Sequence, residues 1–294
     1  MWGFTMRKTV FVVIIALLLT ICSGCSTKSE SAQIAATTLP VYQFTSMLCQ
    51  GTDLKVARLV TESTSCLHDY SLNVNQVKTV ESAELIVMSG AGLEDFMSGL
   101  LDGKQVIDAS KNITLREGCN HHEQDVHAHE TDPHIWLSVA NAKQMAKNIY
   151  QGLCEAYPEQ EDTFKANMSR LMQQLQDLDI YARRQLHGIS STQIITFHDG
   201  FGYLADAYGL TILASVEEES GSEASSQTLV ELINLVRQHD LKAIFAETNG
   251  SDAAAKIISA ETGVNLYMLD MAMSGNDYFE SMYRNIDTLR EALR

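Results

Sequence analysis

Basic residues are scarce in this sequence. Lysine and arginine total 21 against 37 aspartates and glutamates, a formal net charge of −16. Binding to nucleic-acid phosphate needs basic patches, so this balance excludes that class. Proline is rarer still, with 3, and glycine contributes only 17, which excludes low-complexity and collagen-like chains. No stretch near the amino terminus is long enough to span a bilayer: the apolar run from Thr9 to Ile21 is about a dozen residues against the ~20 required. What remains is ordinary globular composition, 45% hydrophobic and 20% charged. At 294 residues the chain has the length of about two domains and enough apolar material for two cores.

The start of the chain reads as a targeting signal. Arg7 and Lys8 precede the apolar run, which ends in Ser23-Gly24-Cys25. A positive start, an apolar middle and a small-residue end are the parts of a secretory signal. A buried amino-terminal strand, or a signal cut elsewhere, are the other readings. The segment resembles a bacterial lipoprotein signal, which implies lipid attachment at Cys25 and an anchor that holds a soluble domain at a membrane surface without spanning it. Beyond Cys22 and Cys25, the cysteines are Cys49, Cys66, Cys119 and Cys154. An exported compartment permits disulfides, but no spacing favours a pairing, and buried free thiols are an equal reading for Cys49 and Cys154.

Strand and helix patterns alternate in two rounds. In the first half the expected strands are Gln33 to Thr37, Lys55 to Leu59, Leu85 to Met88 and Gln105 to Ile107, separated by helices at Val41 to Gln50, Asn73 to Val80 and Leu93 to Leu101. In the second half they are Gln193 to Thr196, Leu210 to Leu213, Ala243 to Ala246 and Asn265 to Leu269, with helices near Phe201 to Tyr208, Gln227 to Gln238, Asp252 to Thr262 and Tyr278 to Leu293. Such alternation implies parallel pairing through βαβ crossovers. Between the halves lies a long helical stretch from Ser138 to Leu186, interrupted by Pro158. Phe164, Met168, Leu171, Met172, Leu175 and Leu178 form one apolar stripe along its second piece. That piece is roughly 40 Å long, too long for a crossover in one small sheet, and reads as a rod tying two lobes together.

The organisation expected is therefore a signal peptide over 1–24, a tether over 25–32, an amino-terminal βα lobe over 33–137, a linking helical region over 138–188 and a carboxyl-terminal βα lobe over 189–294. The fold class is α/β: two lobes with parallel four-stranded sheets, joined by one long backbone helix, with a site in the cleft between lobes.

Of nine histidines, three stand where ligands gather. His198 follows the strand ending at Thr196, His68 lies in the loop after the second strand, and His134 immediately precedes a helix in Asp132-Pro133-His134-Ile135-Trp136-Leu137. Asp270 ends the last strand. Ligands of open parallel sheets bind outside the carboxyl ends of strands. Two facing lobes would set His68 and His134 against His198 and Asp270. Three imidazoles and a carboxylate make a coherent ligand set for a divalent transition metal, zinc above all. His187 and His239 read as helix-end cations. A hydrolase would need an open coordination position and a general base; Asp270 would fill the fourth place, and no His-Glu-x-x-His helix motif is present. Glu247 ends the strand Ala243 to Ala246; it reads as a loop residue near the cleft that helps begin the next helix, with an extra or outer-shell carboxylate as the alternative.

These motifs resemble those of the solute-binding lipoproteins of bacterial zinc and manganese ABC importers, the ZnuA- and TroA-like group, over nearly all of the chain after the signal. Asp132 to Leu137 is similar to the family's second-ligand motif and His198-Asp199-Gly200-Phe201-Gly202-Tyr203 to its third. His68 stands at the first ligand position, Asp270 at the carboxyl-terminal aspartate, and Ser89-Gly90-Ala91-Gly92-Leu93-Glu94 fits a further family segment. The surroundings of His68, Leu67-His68-Asp69-Tyr70-Ser71-Leu72, depart from the family's usual pattern. The resemblance implies a metal site of His68, His134, His198 and Asp270, with histidine rather than glutamate at the third position pointing to Zn2+, and Mn2+ as the alternative. It implies a monomeric receptor, lipid-anchored on the extracytoplasmic face of the membrane, that passes its ion to an ABC permease. It further implies that the loop 118–130, with His121, His122, His127 and His129, gathers zinc weakly. A manganese or iron receptor of the same fold, a metal-dependent adhesin and a zinc hydrolase are the competing readings.

Overall fold

The computed structural model describes residues 32–62, 67, 70–118, 131–216 and 224–294. The expected signal peptide and Cys25, together with Cys66, His68, Cys119, the four loop histidines His121, His122, His127 and His129, and Glu217 to Glu219, lie outside the described residues. No described helix is long and apolar enough to cross a membrane.

Short runs of apolar residues bounded by polar turns build both sheets. The first contains β1 (Ile34–Ala36), β2 (Val56–Arg58), β3 (Leu85–Met88) and β4 (Gln105–Asp108), all parallel, in the order β2-β1-β3-β4. Helices α1 (Leu39–Leu48) and α2 (Val74–Ser82) carry the crossovers between β1, β2 and β3. Helix α2 begins where Asn73 accepts hydrogen bonds from the Asn75 and Gln76 amides, and the Gln76 side chain bonds back to the Asn73 amide. The second sheet contains β5 (Gln193–Phe197), β6 (Thr211–Ser215), β7 (Ala243–Glu247) and β8 (Asn265–Leu269), again parallel, in the order β6-β5-β7-β8. Between the sheets run α3 (Val139–Ala156) and α4 (Glu161–Gln185). In the second half, α5 (Gly202–Tyr208), α6 (Ser226–Gln238) and α7 (Ala253–Thr262) cross between strands, and α8 (Tyr278–Ala292) ends the chain.

Both sheets, their parallel pairing and the long linking helix match the sequence expectation. Pro158 opens a short 3₁₀ turn, Pro158–Gln160, that separates α3 from α4. One element differs. The helix expected over Leu93 to Leu101 is a 3₁₀ stretch, Asp95–Leu100. Its neighbour Glu94 explains why the chain turns there. The Glu94 carboxylate accepts hydrogen bonds from the Thr37 hydroxyl (2.6 Å) and the Ser89 and Gly90 amides (2.7 and 3.0 Å). It thereby fills the crevice at the carboxyl ends of β1 and β3, where this sheet's order reverses. Its burial outweighs those bonds and pushes the carboxyl up to about 7.

The lobes share one core. Ile34 and Phe44 from the first half, Leu171, Leu175 and Leu178 from α4, and Leu269, Tyr278 and Ile286 from the second half belong to a single buried cluster. Residues 32–294 form one compact unit. Polar bonds fasten the segment after β8 to the first half. The Leu39 amide donates to the Met273 carbonyl (3.1 Å), Arg58 to the Gly275 carbonyl (2.6 Å), and the Tyr278 amide to Gln43 Oε1 (2.6 Å). Cys49 and Cys154 are free thiols, and burial pushes that of Cys49 up to about 12.

This shared core makes a measurable statement. Leu175→Ala removes a fully buried side chain from it and is expected to lower stability by about 2–5 kcal/mol. Urea unfolding followed by circular dichroism and by Trp136 fluorescence should then give one coincident transition, shifted as a whole. Two separated transitions would contradict a core common to both lobes.

Candidate metal site

His134 is placed by a rigid scaffold. The 3₁₀ turn that follows it, Ile135–Leu137, is fully buried. The Trp136 indole donates to the Met271 carbonyl (2.7 Å), and the Tyr278 hydroxyl donates to the Trp136 carbonyl (2.8 Å). Both bonds tie this turn to the second half of the chain. Asp132 Oδ1 lies 2.9 Å from the His134 amide, which donates to it, and 2.9 Å from His134 Nδ1. Asp132 is itself held in place. Arg116 Nε stands 4.0 Å from its other oxygen, and the Tyr203 hydroxyl donates to its carbonyl (3.0 Å). Arg116 also pairs with Asp206.

His198 arrives from the opposite side. It follows Phe197, the last residue of β5, and β5 pairs with β7 so that Phe197 lies beside Ala246. The next position on each strand brings His198 next to Glu247, and Glu247 Oε2 stands 3.5 Å from His198 Nδ1. His134, His198, Asp132 and Glu247 are all buried, at 4, 5, 7 and 1% exposure. The two rings meet nearly edge to face, and their Nε2 atoms are 3.5 Å apart.

That distance has chemical meaning. A carboxylate can only accept, so an Nδ1 facing one carries the proton, and Nε2 is left with its lone pair. Here both Nε2 atoms face the same gap. With zinc–nitrogen bonds of about 2.0–2.1 Å, nitrogens 3.5 Å apart would subtend roughly 113–122° at the metal, close to tetrahedral. At the same bond length a right-angled pair would stand only about 2.9 Å apart. The donor pair fits a tetrahedral, nitrogen-rich ion. Gly200 makes the approach feasible. A Cβ there would lie 2.4 Å from Met271 Cε, 2.9 Å from His134 Nδ1 and 2.9 Å from His198 Cδ2.

The structure thus brings together His134 and His198 of the residues singled out in the sequence. Asp270 is placed at the carboxyl end of β8, half-buried. Its Oδ1 accepts from the Ala272 amide (2.7 Å) and its Oδ2 from the Ser281 hydroxyl (3.0 Å). Among the described residues no three His, Cys, Asp or Glu side chains form a metal-holding group, so the described site is a histidine pair. His187 is exposed, and His239 caps α6 with Nδ1 3.2 Å from Gln193 Oε1. Glu247, read at the strand end and as the start of a loop, is the buried last residue of β7, because its ladder with β8 runs one residue further, Glu247 opposite Leu269. Helix α7 starts only at Ala253. Two residues beside the histidines carry roles that sequence reasoning missed. Asp132 was visible only as the first residue of an Asp-Pro-His triplet, and Gly200 only as the second residue after His198.

Comparison with known proteins gives this geometry a family. The chain matches the family described as zinc-uptake complex component A, periplasmic, over residues 34–292. It is 29% identical over 298 residues to the zinc-binding lipoprotein AdcA of Streptococcus pneumoniae, covering 94% of this chain and 58% of the relative. It is 28% identical over 302 residues to the high-affinity zinc uptake system protein ZnuA of Bacillus subtilis, covering 94% of both. The Zn(II)-bound ZnuA-like domain of Streptococcus pneumoniae AdcA superposes with a TM-score of 0.75 at 28% identity, over 90% of this chain and 99% of that one. The chain spans about half the length of the streptococcal relatives it matches.

The close approach at Gly200 gives a direct check on the site. Gly200→Ala forces Met271 and both imidazoles to give way, and zinc affinity is expected to fall about tenfold or more, the scale of other disturbances around metal ligands. Competition with a zinc chelator, alongside circular dichroism to confirm the fold, measures it. Unchanged affinity would mean that zinc does not lie between these rings.

Proposed function

The chain belongs to the zinc-uptake complex component A family, and from that membership we propose that it is an extracytoplasmic zinc-binding lipoprotein that delivers Zn2+ to an ABC permease. The observation that carries this reading is the gap of 3.5 Å between His134 Nε2 and His198 Nε2, each ring backed by a carboxylate at Nδ1. His68 is proposed as the third nitrogen ligand. Asp270 is proposed as the carboxylate, since each of its oxygens keeps a lone pair beyond the hydrogen bond it accepts. The loop histidines His121, His122, His127 and His129 are proposed as a weaker gathering segment ahead of the site.

The family is one of solute-binding transport proteins, and the chemistry here is capture rather than catalysis. Neutral imidazoles bind the ion and protons compete for them, so affinity falls as the medium becomes more acidic. The core common to both lobes and the bonds that fasten residues 271–278 to the first half favour a pre-formed site over a wide hinge closure. Anchoring through Cys25 is proposed from its sequence setting, and a relative bearing the lipoprotein name supports it.

The test is metal stoichiometry in the full chain, purified in detergent without an added histidine tag, with zinc and manganese offered in competition. One tightly held zinc is expected, lost in His198→Ala and retained when 118–130 is deleted. Manganese retained against equimolar zinc, or no tightly held metal, would overturn the zinc reading.

A further inference from the structure

Glu247 has no part in the ligand set proposed above, yet its placement is unusually constrained. It is an acidic side chain at 1% exposure at the end of a central strand. The order β6-β5-β7-β8 reverses between β5 and β7, and the crevice at such a reversal is where open α/β sheets place their ligands. In the first sheet the equivalent crevice, between β1 and β3, is filled by the Glu94 carboxylate bonded to backbone amides and a threonine. In the second sheet the crevice instead holds an imidazole with a carboxylate against it, His198 Nδ1 and Glu247 Oε2 at 3.5 Å. The turn after β7 lies directly over that carboxylate. A Cβ on Gly250 would sit 3.3 Å from Glu247 Oε2 and 3.4 Å from Glu247 Cβ, so a side chain there would press on the carboxylate.

Resting on the zinc-site reading, we propose that Glu247 is the positioning residue for His198, holding the ring with protonated Nδ1 toward β7 and Nε2 toward the metal. It serves His198 as Asp132 serves His134. The two carboxylates approach from different halves of the chain. Both rings then present a lone pair to one point before metal arrives, and binding needs no reorientation of either. Carboxylates in this position are worth about 10–100-fold in metal affinity.

The test compares the full chain with Glu247→Gln, Glu247→Met and His198→Ala. Selective ¹⁵N labelling of histidine reads the tautomer of His198 in the metal-free protein, with His198→Ala assigning the signal. Chelator competition reads zinc affinity. His198 is expected in the Nδ1–H form in the parent chain. Glu247→Met, close in shape but without an acceptor, should release the ring to the Nε2–H form or a mixture and weaken zinc binding about 10–100-fold. Glu247→Gln keeps an acceptor oxygen and should retain the Nδ1–H form with a smaller loss. The proposal is overturned if Glu247→Met changes neither tautomer nor affinity. It is overturned equally if that variant loses zinc as completely as His198→Ala, since Glu247 would then be a ligand. Should Glu247→Met fail to fold, an Nε2–H tautomer in the parent chain contradicts the proposal by itself. A parent chain that holds no zinc at His198 fails the transport reading instead, and the tautomer measurement still decides the role of Glu247.

Discussion

Two buried imidazole nitrogens, His134 Nε2 and His198 Nε2, face each other across 3.5 Å, and the surrounding structure is arranged about that approach. Everything around His134 and His198 acts to maintain it. Asp132 and Glu247 face the Nδ1 sides, Gly200 leaves room for the rings to meet, and the buried Trp136 fixes the turn that carries His134. Buried carboxylates and a close-packed glycine thus surround two nitrogens aimed at one point, the arrangement on which the proposed zinc site rests. At zinc–nitrogen bond lengths the separation of the nitrogens corresponds to a near-tetrahedral angle.

The fold supplies the rigidity this requires. Each four-stranded parallel sheet ends in a crevice where its strand order reverses, but the two crevices are used differently. Glu94 closes the first from within, through bonds to Thr37, Ser89 and Gly90, and so turns it into structure. The second keeps a metal-competent ring. The long α4 helix, whose leucines belong to the same buried cluster as both sheets, joins the lobes as a beam rather than as a tether. Arg58, Gln43 and Trp136 then stitch the segment following Asp270 to the first half. Relative motion of the lobes would have to break these bonds and open apolar surface at once.

Much of this was legible in the amino-acid sequence. Short runs of three to five residues bounded by turns marked all eight described strands, and one proline explained the break between α3 and α4. His134 and His198 were readable because they stand at strand and helix ends, where the topology places ligands. The burial of Glu247 was not legible because a strand-end residue and the first residue of a loop look alike in sequence. Only the Glu247–Leu269 pairing distinguishes them, and that is a long-range contact. The role of Asp132 depends on a turn that folds its carboxylate back onto a ring two residues later. The continuity of the core was hidden for a similar reason. An apolar stripe shows that a helix is buried, and not that both lobes bury it together. The short 3₁₀ stretch after Glu94 reflects side-chain bonds to a distant strand, which local periodicity does not encode.

The measurement that bears most directly on this account is the zinc K-edge X-ray absorption spectrum of the zinc-loaded chain lacking 118–130. A shell of nitrogen and oxygen ligands at about 2.0–2.1 Å is expected, with imidazole scattering beyond it. A sulfur shell at about 2.3 Å, or a nitrogen and oxygen shell without imidazole scattering, would contradict it.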